Sequence, residues 1–250
     1  MKFGFTLAEV LVTLGIVGVV ASMTLPTLNN NVQKRSYEAG AKKAYNTISN
    51  AVSMYMADQD TDDLAATPLY NNQDGLRAFV KKYFRVSIDC GNRYYKSNGA
   101  SCYAKEFYSM DRKKSFNFSQ GQCMQVVALV DGMSMCFDSG HMDDAAGDDD
   151  EDVNGDGKVD KDDVLKSYTK DNVEIPLMVE FDINGPNGPN TTGRDIFQVA
   201  VSRNGLVGAK QEGCDVTTED NRKKCLEHYT NNAEPMPIAL LQYYGWKMKY

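Results

Sequence analysis

FTLAEVLVTLGIVGVVASMTLPTL, residues 5–28, carries a single charge, Glu9, in twenty-four positions. At about 1.5 Å per residue a helix of that length reaches roughly 36 Å, enough to cross a hydrocarbon core of about 30 Å. Only Met-Lys-Phe-Gly stands ahead of it. A secretory signal has a longer basic start and a small-residue cleavage site after its apolar run, whereas this run closes on Thr24-Leu25-Pro26. The segment therefore reads as a membrane helix. A carboxylate near the centre of such a helix costs about 2.5–3.5 kcal/mol on insertion scales, and less near an end. Glu9 thus either lies shallow enough to reach the headgroups or has a partner. Gly15 and Gly18 permit another helix to approach closely. Pro26 removes one backbone hydrogen bond and is expected to kink or loosen the helix.

Downstream of this span the chain is polar but periodic. Tyr37, Ala41, Ala44, Tyr45, Ile48, Val52 and Tyr55 recur at three- and four-residue spacing, which predicts an amphipathic helix over 29–57. It either continues the membrane helix and lays its apolar face on a sheet, or starts afresh after a break at Asn29-Asn30-Asn31. Beyond Asp58 the units shorten. A helix is expected over 76–84, and strands over 125–130 and 133–137 flank the turn signal Asp131-Gly132. Further strands are expected over 176–183, 195–202 and 246–250. The aromatic tail Tyr243-Tyr244-Gly245-Trp246 reads as core packing. A long N-terminal helix packed on an antiparallel sheet is an α+β architecture.

The net charge of −7 is local in origin: residues 143–163 hold eleven acidic side chains against Lys158 and Lys161, leaving the remainder slightly positive. The basic clusters Lys81-Lys82, Arg112-Lys113-Lys114 and Arg222-Lys223-Lys224 are dispersed, so no nucleic-acid partner is expected. All six cysteines lie beyond residue 89, with no Cys-x-x-Cys pair and only two histidines in the chain. That pattern indicates disulfides in an oxidising compartment rather than zinc. Cys214–Cys225 is the favoured pair, since it closes a short polar loop with no intervening cysteine. A two-residue turn at Asp131-Gly132 would set Val130 opposite Met133, Cys123 opposite Gly140 and Cys136 opposite Val127, a register that argues against a Cys123–Cys136 bridge.

Gly4-Phe5-Thr6-Leu7-Ala8-Glu9 resembles the type IV prepilin cleavage and methylation motif, shared by the pseudopilins of type II secretion. The resemblance implies that a prepilin peptidase cuts after Gly4 and methylates the new amine on Phe5. Glu9 falls on the family's glutamate and Pro26 on a proline common in these helices. Ala8 stands where a larger apolar residue is usual, and the leader is short. The implied organisation is a leader (1–4), a transmembrane polymerisation helix (5–28), an amphipathic helix (29–57) and a disulfide-bonded, β-rich head (58–250) with an acidic insertion at 143–163. The implied location is the bacterial inner membrane, with the head extracytoplasmic. Sibling subunits, the peptidase and an inner-membrane assembly platform are the implied partners. After cleavage the Phe5 amine and Glu9 lie about 6 Å apart along the axis, so one subunit's amine can pair with Glu9 of a staggered neighbour. Charge counting alone points the other way: Lys2 precedes the span, whereas Lys34, Arg35, Lys42 and Lys43 follow it. The cysteines and the motif place the head outside.

Residues 152–163, DVNGDGKVDKDD, resemble a twelve-residue EF-hand calcium loop. Asp152, Asn154 and Asp156 take the first three side-chain positions, Gly157 the turn, Lys158 the carbonyl position, Asp160 the ninth and Asp163 the twelfth. The twelfth is Asp rather than the usual Glu, and an acidic run replaces the entering helix, as in the lone loops of secreted modules. The plainer alternative is a solvated acidic loop. Residues 182–190, DINGPNGPN, followed by Gly193-Arg194-Asp195-Ile196-Phe197, are first of all turn chemistry. They also look like a C-terminal loop recurrent in pilin-like proteins, and major pseudopilins bind calcium in a comparable loop, so Asp182, Asn184 and Asp195 form a possible second metal set. His141 and His228 fall in polar stretches and are expected at the surface. With no Gly-x-Ser-x-Gly, phosphate-loop or His-Glu-x-x-His motif, no enzyme is expected. The expected function is a pilin-like structural subunit of a type IV pilus or type II secretion filament with bound Ca²⁺. The alternative is a non-polymerising, membrane-anchored, calcium-dependent extracellular adhesion protein.

Overall fold

Thr6 starts the first helix with a reciprocal cap: its Oγ1 accepts the Glu9 N–H at 3.3 Å, while its own N–H donates to Glu9 Oε2 at 2.8 Å. The computed structural model describes residues 6–70, 72–93, 101–117, 123–139, 175–208, 214 and 216–250. In it α1 (Leu7–Asp58) is one helix of 52 residues, unbroken at Pro26 and at Asn29–Asn31. The continuous alternative is therefore the one adopted. Ala41, Ala44, Ile48, Ala51, Val52 and Tyr55 are buried, as the spacing requires of a single face. A second helix, α2 (Gln73–Tyr83), is capped by the Asn72 side chain, which accepts the N–H groups of Asp74 and Gly75, both at 3.0 Å. Gly75 must be glycine because any Cβ would strike the Pro68 carbonyl.

The strands are β1 (Val86–Gly91), β2 (Glu106–Tyr108), β3 (Ser115–Asn117), β4 (Gln125–Leu129), β5 (Ser134–Ser139), β6 (Leu177–Asp182), β7 (Ile196–Val201) and β8 (Met236–Pro237). The main sheet runs β1-β4-β5-β6-β7-β8, antiparallel up to β7, with β8 parallel at the edge; β2 and β3 form a separate hairpin. Period-two alternation sorts the strands onto two faces. Met135, Phe137, Val179, Phe181, Phe197 and Val199 join the α1 stripe and α2 in the larger core. Val126, Cys136 and Ile196 point the other way, into a smaller core with Cys90, Cys102, Tyr103 and Phe107. Among the described residues the head also holds two further α-helices, α3 (Glu219–Asn231) and α4 (Ala239–Tyr243).

Three expectations are corrected. The β4–β5 turn has three residues, Val130, Asp131 and Gly132, because the Val130 N–H is drawn to the Arg85 carbonyl at 2.9 Å and Gly132 adopts φ +88°. Leu129 then faces Met133, with its N–H donating at 2.8 Å, and Cys136 faces Val126. Cys123 lies ahead of β4, where the chain bends at Met124 instead of extending the ladder, so it does bond Cys136, with Cα atoms 5.7 Å apart. Cys214–Cys225 forms as expected, and Cys90–Cys102 is the third bridge. Finally, residues 246–250 are not a strand. Trp246 turns the chain at φ +65°, and the tail crosses α1, where Glu38 accepts the Met248 N–H at 2.9 Å and Lys247 Nζ at 3.0 Å. The last strand is β8 instead, an edge position that tolerates Pro237. Of the aromatic tail, Tyr244 and Trp246 pack on the core while Tyr243 stays half exposed.

Candidate functional site

Two regions place chemistry where the fold itself does not use it. The first is the start of α1. It is one helix long and apolar enough to cross a membrane, and none of Leu7–Thr24 is buried by the rest of the chain. Leu7, Leu11, Val17 and Met23 are each more than 60 % exposed, and a Cβ at Gly15 or Gly18 would meet nothing. A helix apolar all round needs an apolar solvent or other helices. Within the single chain Glu9 is already partnered: both the Thr6 N–H and the Thr6 hydroxyl donate to its Oε2 at 2.8 Å. Gly4 and Phe5 lie outside the described residues.

The second region is the β6–β7 loop. Asp182 ends β6, between Ser134 on β5 and Ile196 on β7, and Asp195 immediately precedes β7; both aspartates are fully buried. Asp182 Oδ1 accepts the Asn184 N–H at 3.1 Å. Asp195 accepts the Thr191 N–H at 2.7 Å on Oδ1 and the Asn190 N–H at 2.9 Å on Oδ2. The Asn184 amide group donates to the carbonyls of Asn187 and Gly188 at 2.7 and 2.9 Å, which closes the turn. Gly185, at φ +67°, lets the loop lie against the β4–β5 turn: a Cβ there would sit 2.7 Å from the Gly132 carbonyl oxygen. On the other side Gly40 of α1 makes room for Ile183.

Four oxygens in and beside this loop are buried with no hydrogen-bond partner: Asp182 Oδ2, Asn184 Oδ1, Asn190 Oδ1 and Ser134 Oγ. Burial, and then the nearby Asp195 charge, push the Asp182 carboxyl well above the usual carboxylate range. Burial lifts Asp195 to about 6, against the pull of the Thr191 and Asn190 N–H groups. Tyr37 of α1 is raised too, by burial first and by the Asp195 charge second, so α1 borders the pair. Among the described residues no three His, Cys, Asp or Glu side chains form a metal-binding group. What the loop offers is two carboxylates with neutral amide and hydroxyl oxygens, a hard donor set that fits Ca²⁺ and does not fit zinc or copper.

Of the residues singled out from sequence, Asp182, Asn184 and Asp195 are thus brought into one loop whose two aspartates are buried. Asp152, Asn154, Asp156, Lys158, Asp160 and Asp163 lie outside the described residues, as does His141. His228 sits on α3 rather than in a loop and pairs at the surface with Glu234 at 2.9 Å. Sequence reasoning passed over Asn190 and Ser134. The Pro189-Asn190 pair reads as a turn, and nothing marks Ser134 as more than a strand residue. No family model, curated protein or solved structure matches the chain.

Proposed function

We propose that this chain is a pilin-like structural subunit of a type IV pilus or type II secretion filament, processed after Gly4 and assembled through α1. One observation carries the proposal. A single helix is apolar and bare over Leu7–Thr24, yet is built into the head from Tyr37 onward. Such a helix presents the same face to lipid before assembly and to sibling helices after it, without rearranging the head. Sibling subunits, a prepilin peptidase and an inner-membrane assembly platform are the partners this reading requires, with the head extracytoplasmic. Mass analysis of the native protein tests it: loss of residues 1–4 with one added methyl is the expected result, and a retained leader overturns the proposal.

The reading includes calcium. Asp182, Asn184 and Asp195 would hold the ion in the β6–β7 loop, and Asp152, Asn154, Asp156, Lys158, Asp160 and Asp163 in the acidic insertion. A bound divalent cation supplies the positive charge that two buried carboxylates otherwise lack. Calcium is expected to raise the melting temperature, and identical curves in calcium and in chelator would remove it from the account. The Glu9 cap favours a second reading, a non-polymerising anchored calcium-dependent binding protein, because a carboxylate satisfied by Thr6 needs no neighbour's amine. The same mass measurement separates the two.

A further inference from the structure

Asn190 is held at φ +48°, a left-handed backbone that Asn adopts more readily than most residues with a Cβ. Its N–H donates to Asp195 Oδ2 at 2.9 Å and its carbonyl accepts the Tyr108 N–H of β2 at 2.8 Å. The main chain is therefore fully used, while the side-chain Oδ1 is shut away from water with no donor. Leaving a buried amide oxygen unpaired is costly, so this oxygen calls for a partner. The neighbouring residues are gripped from outside the loop. Arg112, beyond β2 in the β2–β3 hairpin and itself at φ +58°, donates Nη1 to the Pro189 carbonyl at 3.0 Å and to Thr191 Oγ1 at 2.9 Å. Its guanidinium lies 4.5 Å over the Tyr108 ring, which fixes its direction.

We infer that Asn190 is a direct oxygen ligand of a cation in the β6–β7 loop, and that Arg112 is the positioning residue that holds it in place. This rests on the calcium reading of the loop given above. Asp182 is fully buried with Oδ2 unpartnered, so the loop already contains one oxygen waiting for a positive charge. An amide oxygen adds coordination without adding another buried negative charge. Arg112 contacts neither that oxygen nor the two aspartates by hydrogen bond; it acts through Pro189 and Thr191, on either side of Asn190.

The test uses the full chain in detergent, with Asp152→Ala and Asp156→Ala added to silence the acidic insertion, titrated calorimetrically with Ca²⁺ alone. Asn190→Gly keeps the left-handed backbone and deletes the oxygen. It is expected to weaken binding by about tenfold or more, while the melting temperature in chelator holds or rises. Asn190→Asp keeps an oxygen and retains binding. Arg112→Gln weakens binding by about tenfold, and Arg112→Lys, which reaches one acceptor rather than two, falls between. Unchanged affinity in Asn190→Gly overturns the ligand, and unchanged affinity in Arg112→Gln overturns the positioning role. If the parent binds no better than its Asp182→Asn, Asp195→Asn derivative, the calcium reading itself fails and takes this inference with it.

Discussion

The two halves of α1 are both rich in apolar residues, yet they meet opposite surroundings. In the first half Val, Leu and Ile cover the whole circumference and are exposed. In the second, one face does the packing: Ala41, Ala44, Ile48, Ala51, Val52 and Tyr55 are buried, and Gly40 admits Ile183. Tyr45 meets Trp246 with ring centroids 5.2 Å apart, and Tyr55 meets Phe79 at 5.0 Å. The difference shows that apolar content does not decide which part of a helix joins its own core. Spacing decides it: in the second half the apolar residues keep to one face that can lie on the sheet, whereas in the first they go all round.

The contrast can be broken most sharply at Glu9. On the filament proposal, Glu9→Ala leaves the head's melting temperature unchanged while the protein disappears from sheared filaments; normal incorporation would end the proposed assembly role of the bare half. A matched pair comes next. Ile48 is fully buried and Ile16 is 60 % exposed in the same helix. Ile48→Ala is expected to destabilise the head by about 2–5 kcal/mol, and Ile16→Ala by no more than about 0.5 kcal/mol, measured by denaturant unfolding in detergent. Equal effects would mean that the two halves are not energetically distinct. Gly40→Ala should cost about 1–3 kcal/mol, since Ile183 is branched at Cβ and must shift with its loop; a neutral result would show that α1 does not press on the β6–β7 loop.

A modest, pH-dependent effect is expected at the border between the halves. Burial opposes ionisation of Glu38, but Lys247 and the Met248 N–H outweigh it and hold its carboxyl below the ordinary value of 4.5. A lowered carboxylate stabilises the fold above the unfolded-state pKa, and that contribution is lost as pH falls through the folded one. Stability should therefore drop below about pH 4.5 in the parent. Glu38→Gln should cost about 1 kcal/mol near pH 7 and remove that part of the acid sensitivity. Parallel pH profiles for the two proteins would exclude Glu38 as the source.

Much of this was legible beforehand, for physical reasons that differ by region. The α1 stripe declares itself because seven residues repeat at helical spacing over nineteen positions. β4 to β7 are apolar runs bounded by turn residues, and they appear within about one to two residues of the expected ends. β1 was missed: it is an edge strand with two register shifts, and Cys90 faces the smaller core rather than α1. β3 is exposed throughout and leaves no hydrophobic signal. The Cys123 error came from extending a ladder past the point where the chain bends. In the β6–β7 loop the spaced oxygens of Asp182, Asn184 and Asp195 could be read directly. Asn190 could not, because its unpartnered oxygen is set by a left-handed backbone and by neighbours held by Arg112, far away in sequence.

The clasp between Glu38 and Met248 joins positions 210 residues apart. Ribosomes deliver this chain from the helix end, so the second half of α1 exists long before β6, β7 or the tail that covers it. Until then its alanine stripe and tyrosines have no head to rest on, and closing so long a loop is entropically slow. Biogenesis therefore contains a waiting interval, during which the helix precedes the domain that will cover it. During that interval the α1 face that the mature fold conceals stays open to its surroundings.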